Sequence, residues 1–293
     1  MSSSTTFEKM LDPSFSSHDA DILICSSDNT SYRMHSQILR AFSHFFRTML
    51  SLPQPHSDDQ TQMEPISMEE NAKVLGTLFR IIYGLEISRW ESFHDFVSVL
   101  DAARKYGMPG VIGLMRLMTT SPTFLSEPLQ VYVVATQFGW KEEAKTASEY
   151  TLTLNIYAVE HEPELKKLST EYLLKLLKLH QSRKDKFKEQ LNDPMGRFAS
   201  GNVTTKCWSQ NCTLLKNNHA WQALKLYMTC AMDQRPKGDT ILGADAPFED
   251  VAEAQACWKA ACPGCLNLLY QKAGTLSNIK ECLNSLPRSI EDV

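Results

Sequence analysis

Seven of the eight cysteines in this 293-residue chain fall between Cys207 and Cys282. Four of them form two close groups, Cys207-x4-Cys212 and Cys262-Pro-Gly-Cys265. A tetrahedral zinc ion takes four thiolate or imidazole ligands, and two ligands a few residues apart let a tight turn preform each half of the site. Pro263-Gly264 is good turn chemistry for one such half. Two readings stand side by side. In one, Cys207, Cys212, Cys262 and Cys265 hold a structural zinc, with His219 and Cys257 in reserve. In the other the thiols are small buried hydrophobes, a role that suits Cys230, Cys257 and Cys282 inside helical patterns. The gap of roughly fifty residues between the groups is longer than in common zinc ribbons and encloses a predicted helix, Trp221 to Met232. A redox pair at Cys262 and Cys265 fits the C-x-x-C spacing, but no βαβ pattern adjoins it.

Other chemistry-bearing residues point to structure rather than catalysis. No nucleophile or second base lies near His35 in sequence. His161-Glu162-Pro163-Glu164-Leu165 begins like a zinc-protease helix but has Leu where the second His belongs. Gly107, Gly110 and Gly113 have the wrong spacing for a dinucleotide loop, and no phosphate-binding or nucleophile-elbow motif is present. The basic run from Lys166 to Lys188, including Arg183 and Lys184, alternates with leucines at helical spacing and reads as a solvated helix face, with a surface for an acidic partner as the alternative.

Bulk properties narrow the classes further. Apolar content of 43% and charged content of 22% suit a globular protein and exclude wholesale disorder. A net charge of −4 with pI near 6.1 argues against nucleic acid as a partner. No run approaches the ~20 apolar residues of a membrane span, and MSSSTTFEKML lacks the apolar core of a signal peptide. The expectation is an intracellular protein, cytoplasmic or nuclear, with its cysteines reduced or metal-bound. The glycosylation sequons at Asn29, Asn202 and Asn211 are then chance matches.

The elements become legible from the N-terminus. Asp21 to Cys25 is an apolar, partly β-branched strand, Ser26 to Ser31 a polar turn, and a second short strand follows. After His35, residues Ile38, Leu39, Phe42, Phe45, Phe46, Met49 and Leu50 recur at three- and four-residue spacing, which predicts one amphipathic helix. This order of residue types resembles the opening of the BTB/POZ domain: Asp21 at the first strand, His35 before the helix, then Ser43, Phe45 and Phe46. The resemblance continues through a helix ending near Tyr83-Gly84, a helix capped by Ser88, and a closing helix from Pro109 to Met118.

The resemblance implies an α+β BTB/POZ domain, a small sheet flanked by helices, at 17–120, with 1–16 disordered. An all-α C-terminal region follows. Tyr132 to Ala144 resembles the truncated BACK-like helices that follow such domains in fungal proteins, giving a BACK-like region at 121–191. A cysteine-rich helical region at 192–293 completes the chain. The family implies a non-enzymatic interaction module and a homodimer, with Phe15, Ile38, Leu39 and Phe42 at the interface and an unnamed protein as partner. Two alternatives follow from the same resemblance. A cullin-ligase adaptor would need a loop motif that Met63-Glu64-Pro65 matches poorly. A transcriptional regulator would need a zinc finger or basic recognition helix, and neither is present.

Overall fold

A computed structural model describes residues 10–52, 64–202, 206–207, 212–242 and 248–293. The chain divides into two compact units, 1–124 and 125–293.

In the first unit the described residues give four strands: β1 (Met10–Leu11), β2 (Ile22–Cys25), β3 (Thr30–Met34) and β4 (Ile66–Ser67). Their order in the sheet is β1-β3-β2-β4. β2 and β3 form an antiparallel hairpin that pairs Ile22 with Met34 and Cys25 with Ser31. Its turn is closed by Asn29 at φ 67°, a left-handed conformation Asn tolerates. β1 lies parallel to β3, and β4 parallel to β2.

Residues 10–16, part of the stretch expected to be disordered, are ordered. Asp12 accepts the Ser14 N–H at 2.8 Å and caps a 3-10 turn, Pro13–Phe15. That turn drives Phe15 into a cluster of rings, edge-on to Tyr32, Phe79 and Tyr83 at centroid distances of 5.6, 6.1 and 5.4 Å. Full burial of a Phe is worth about 2–3 kcal/mol, enough to hold a short edge strand in place.

The single helix expected from Ser36 to Leu50 is two, α1 (Ser36–Phe42) and α2 (His44–Met49). Ser43 between them is extended at φ −128°, and its hydroxyl caps α2 by accepting the Phe46 N–H. Three more helices follow: α3 (Ala72–Tyr83), α4 (Phe93–Lys105) and α5 (Pro109–Thr119). Gly84 at φ 65° ends α3, a left-handed stop that favours Gly. The cap of α4 is Ser92 rather than Ser88: its Oγ accepts the Asp95 N–H at 3.1 Å.

The second unit is helical. α6 (Pro128–Gln137) and α7 (Lys141–Thr151) pack as a pair through the buried small residues Ala144, Ala147 and Ser148. α8 (Glu162–Leu165) precedes the long α9 (Thr170–Asn192), and α10 (Ala199–Asn202) follows. Then come α11 (His219–Gln234), α12 (Asp239–Leu242), α13 (Ala252–Lys259) and α14 (Lys272–Asn284). The expected boundary at 191 and 192 falls at the end of α9, inside this unit. Phe187 and Leu191 of α9 share one core with Trp221, Leu224 and Met228 of α11, Cys257 of α13 and Ile279 of α14.

Part of the basic run is not solvated. Arg183 and Lys184 are buried: Arg183 packs under the C-terminal tail, and Lys184 lies over the Tyr157 ring near Asp233 of α11. Arg183 donates through Nε to the Pro236 carbonyl at 2.5 Å, through Nη1 to Pro287 at 2.6 Å and through Nη2 to Lys237 at 3.1 Å. One guanidinium thereby ties α9 to two chain segments far away in sequence. No helix of the described residues is long and apolar enough to cross a membrane.

Candidate functional site

Two short segments bring the four cysteines together. In the first, Lys206 bridges Leu215 in antiparallel fashion, and the Cys207 N–H donates to the Leu214 carbonyl at 2.8 Å. In the second, Ala261 bridges Leu268, the Cys262 N–H donates to Asn267, and the Leu266 N–H donates back to Cys262 at 2.8 Å. Leu266 closes this turn at φ 57°, a conformation that costs a non-glycine residue about 1–2 kcal/mol. The two segments lie against one another closely: a Cβ on Gly264 would sit 2.7 Å from a Leu214 methyl and 3.5 Å from Cys212 Sγ.

The Sγ atoms of Cys207, Cys212, Cys262 and Cys265 all lie within 4.8 Å of one another. Cys207 and Cys265 are 3.4 Å apart, and Cys212 and Cys262 are 3.6 Å apart. Sulfurs at the corners of a tetrahedron around zinc, with bonds of about 2.3 Å, stand about 3.8 Å from each other. A disulfide would bring them to about 2.0 Å, and all four thiols are free. The arrangement suits a closed four-thiolate site, with every position filled by the chain itself.

The electrostatics favour thiolate at Cys262. The N–H groups of Gly264 and Cys265 aim at its sulfur and bring the thiol down to about 6. At Cys212 the Leu214 N–H also lowers the thiol, but burial and the neighbouring Cys262 carry it upward on balance. Cys207 and Cys262 are buried against the unit's core, whereas Cys212 and Cys265 are partly open.

The remaining cysteines separate cleanly. Cys257 and Cys282 are buried, and burial pushes their thiols up to about 12 and about 11. Cys230, expected to be buried, is exposed, because Trp221, Leu224, Met228 and Met232 occupy the inner face of α11. His219 is exposed at the start of α11 and is outside the sulfur cluster.

In the first unit the motif residues organise the junction between β3 and α1. Asp21 accepts the Ser36 N–H at 2.7 Å and the Ser36 hydroxyl at 2.5 Å. Burial pushes the Asp21 carboxyl up, but these bonds outweigh it and the net shift is downward. The His35 N–H donates to the Tyr83 hydroxyl at 2.8 Å, and its Nδ1 lies 3.1 Å from the same oxygen. His35 Nε2 is 3.3 Å from Asp19. Ser43 donates to the Tyr106 carbonyl at 2.6 Å, and Phe46 is buried while Phe45 leans over Tyr106 half in solvent. Tyr83 and Tyr106 as partners had no local signal in the sequence, since they stand 48 and 63 residues away.

The four residues expected at a dimer interface part company. Phe15 and Leu39 are consumed by the unit's own core and have no surface to offer a second copy. Ile38 is partly buried, and Phe42 is 44% exposed beside Phe45. Met10 and Leu11 on the edge strand β1 are exposed, at 70% and 37%. Of the loop motif Met63-Glu64-Pro65, Met63 lies outside the described residues and Glu64 is exposed.

With this geometry in place, comparison with known families places the N-terminal unit. Residues 3–120 match the family model described as BTB/POZ domain. The chain therefore carries a BTB domain, a small four-stranded sheet with helices, followed by a helical C-terminal region. Such a domain marks a protein–protein interaction module. No curated protein matches the chain.

Proposed function

We propose that the protein is a non-enzymatic, intracellular adaptor that homodimerises through its BTB domain and recruits a partner protein. Its C-terminal unit is held together by a structural zinc on Cys207, Cys212, Cys262 and Cys265. The observation behind the dimer is the apolar surface on one unit: Met10 and Leu11 on an edge strand, and Phe42 and Phe45 around the α1–α2 break. An edge strand carries unpaired backbone groups as well as side chains, so a second copy can add both sheet pairing and apolar burial. The zinc reading rests on the sulfur geometry. A closed site of four cysteines leaves no position for substrate, which makes the metal architectural.

Light scattering combined with metal analysis tests both parts. The expected particle contains two chains and one zinc per chain, and Leu11→Asp with Phe42→Asp reduces it to one chain. A particle that stays single at about 100 μM sinks the dimer, because interfaces of standard size give dissociation constants well below that. Zinc-free protein with the thiols intact sinks the metal centre.

A further inference from the structure

A cavity of about 490 Å³ opens in the C-terminal unit among α7, α14 and the turn before α12. Its charged lining is unbalanced. Arg183, Lys237, Lys280 and Arg288 bring four cations, against the carboxylates of Glu149 and Asp239. Asp239 is already taken by Arg235 at 2.6 Å. Arg183 is spent on backbone carbonyls. Among the described residues, Lys237, Lys280 and Arg288 have no carboxylate within ion-pair distance. Elsewhere in the unit Lys145, Lys166, Lys175 and Arg197 each hold a Glu, so what sets these three cations apart is that they converge on one cavity.

The cavity's other wall is aromatic and aliphatic. Tyr150 presents its ring beneath Lys237 Nζ at 5.6 Å, and Leu152 and Leu242 line the same space. The wall is fixed in place. Gly238, at φ 77°, lets the turn approach α14 so closely that a Cβ there would meet Leu283 at 2.6 Å. Arg183 anchors the carbonyls of Pro236 and Lys237 just before it. Cations without carboxylate partners around a concave, half-apolar space of this volume describe a ligand site rather than a solvated surface.

We propose that this cavity binds a small phosphate monoester. The phosphate meets Lys237, Lys280 and Arg288, and the organic body lies against Tyr150, Leu152 and Leu242. The lining carries an excess of two positive charges, and a monoester at neutral pH carries about −1.5 to −2 with three acceptor oxygens. A carboxylate, with one charge, leaves part of that excess unmet.

Calorimetric titration of the full chain with phenyl phosphate tests this, with inorganic phosphate and a phosphoserine peptide as the comparison arms. Phenyl phosphate is expected to bind more tightly than inorganic phosphate and to lose affinity as salt rises from about 50 to about 300 mM on the order of several-fold. Lys280→Ala and Arg288→Ala are each expected to weaken it about tenfold. Both side chains are exposed and hold no carboxylate, so thermal unfolding should stay with the parent. Absence of phenyl phosphate binding at millimolar concentration overturns the proposal, as does affinity indifferent to salt and to both substitutions. Equal affinity for inorganic phosphate removes the apolar half of the site and overturns the monoester assignment. Binding of the peptide without binding of phenyl phosphate assigns the surface to a macromolecule and overturns the small-ligand reading.

Discussion

Replacing Arg183 with Met should destabilise the C-terminal unit far more than an ordinary surface change. The buried guanidinium makes three short bonds, to the carbonyls of Pro236, Pro287 and Lys237, and two longer ones, to Leu286 and Leu283 at 3.4 and 3.5 Å. Charge-assisted bonds are worth about 1.5–3 kcal/mol each, and only the three short ones have good geometry. Against them stands the cost of burying the charge. Burial first, then the nearby Arg288, brings Arg183 down from 12.5 to about 10. That corresponds to a penalty of about 3 kcal/mol, which the substitution relieves. The net loss is then about 2–6 kcal/mol, since Met fills the volume but leaves the carbonyls unpaired. For a unit of this size each kcal/mol lowers the transition by about 2–4 °C, so calorimetry should show a fall of at least about 4 °C. The transition of the BTB unit should not move. Arg183→Lys should recover only part of the loss, because an ammonium cannot fork across two chain segments. An Arg183→Met protein within about 2 °C of the parent, or a Lys variant fully equal to it, would refute the reasoning.

Other expectations follow from the same structure. Cys262→Ser should bring zinc from one per chain to none and unfold the C-terminal unit, since structural zinc contributes about 10 kcal/mol or more in small zinc domains; plasma mass spectrometry and circular dichroism read the two effects, and full zinc retention would count against the site. His180 is buried, its Nε2 is 3.1 Å from Thr151 Oγ1, and burial followed by Lys184 and Arg183 lowers it to about 3. The unfolded chain takes up this proton as pH falls through about 6.5 and the folded chain does not, so stability drops from there downward, by about 2 kcal/mol at pH 5. Urea melts of the parent and His180→Gln between about pH 7.5 and 5 should diverge by that amount, and parallel profiles would exclude His180 as the cause. Ser43→Ala removes both the cap of α2 and the bond to Tyr106, at a cost of about 1–3 kcal/mol in the BTB unit, read by its denaturant midpoint.

How much of this was legible in the sequence depends on whether the signal was local. The hairpin of β2 and β3 announced itself through a β-branched run and a Ser-Asp-Asn turn, and the stop at Gly84 through a residue type that favours the left-handed conformation. The break at Ser43 did not. The three- and four-residue spacing of apolar positions continues straight across it, and what interrupts the helix is a carbonyl of Tyr106, 63 residues away. The four interface candidates divide for a related reason: periodicity tells which residues leave water, not whether the chain's own core or a second copy removes them. Phe15 and Leu39 go to the core, and Phe42, on the same stripe as Leu39, stays outside.

The four-cysteine cluster shows the opposite relation between sequence and structure. Cys262-Pro-Gly-Cys265 is readable because its turn is built from residues that favour turns, yet the left-handed position of that turn falls on Leu266, where a Gly would have marked it. The first group, Cys207 and Cys212, closes through a bridge between Lys206 and Leu215, residue types that carry no turn signal. Bringing the two groups together requires α11 and α13 to fold between them, and Cys207, Cys257 and Cys262 all belong to the core those helices build. A thiol of the four-sulfur cluster and a hydrophobic thiol are therefore neighbours in one core. Only the direction of each sulfur, toward three others or toward aliphatic side chains, separates their roles, and that direction is set by tertiary packing that residue spacing does not encode.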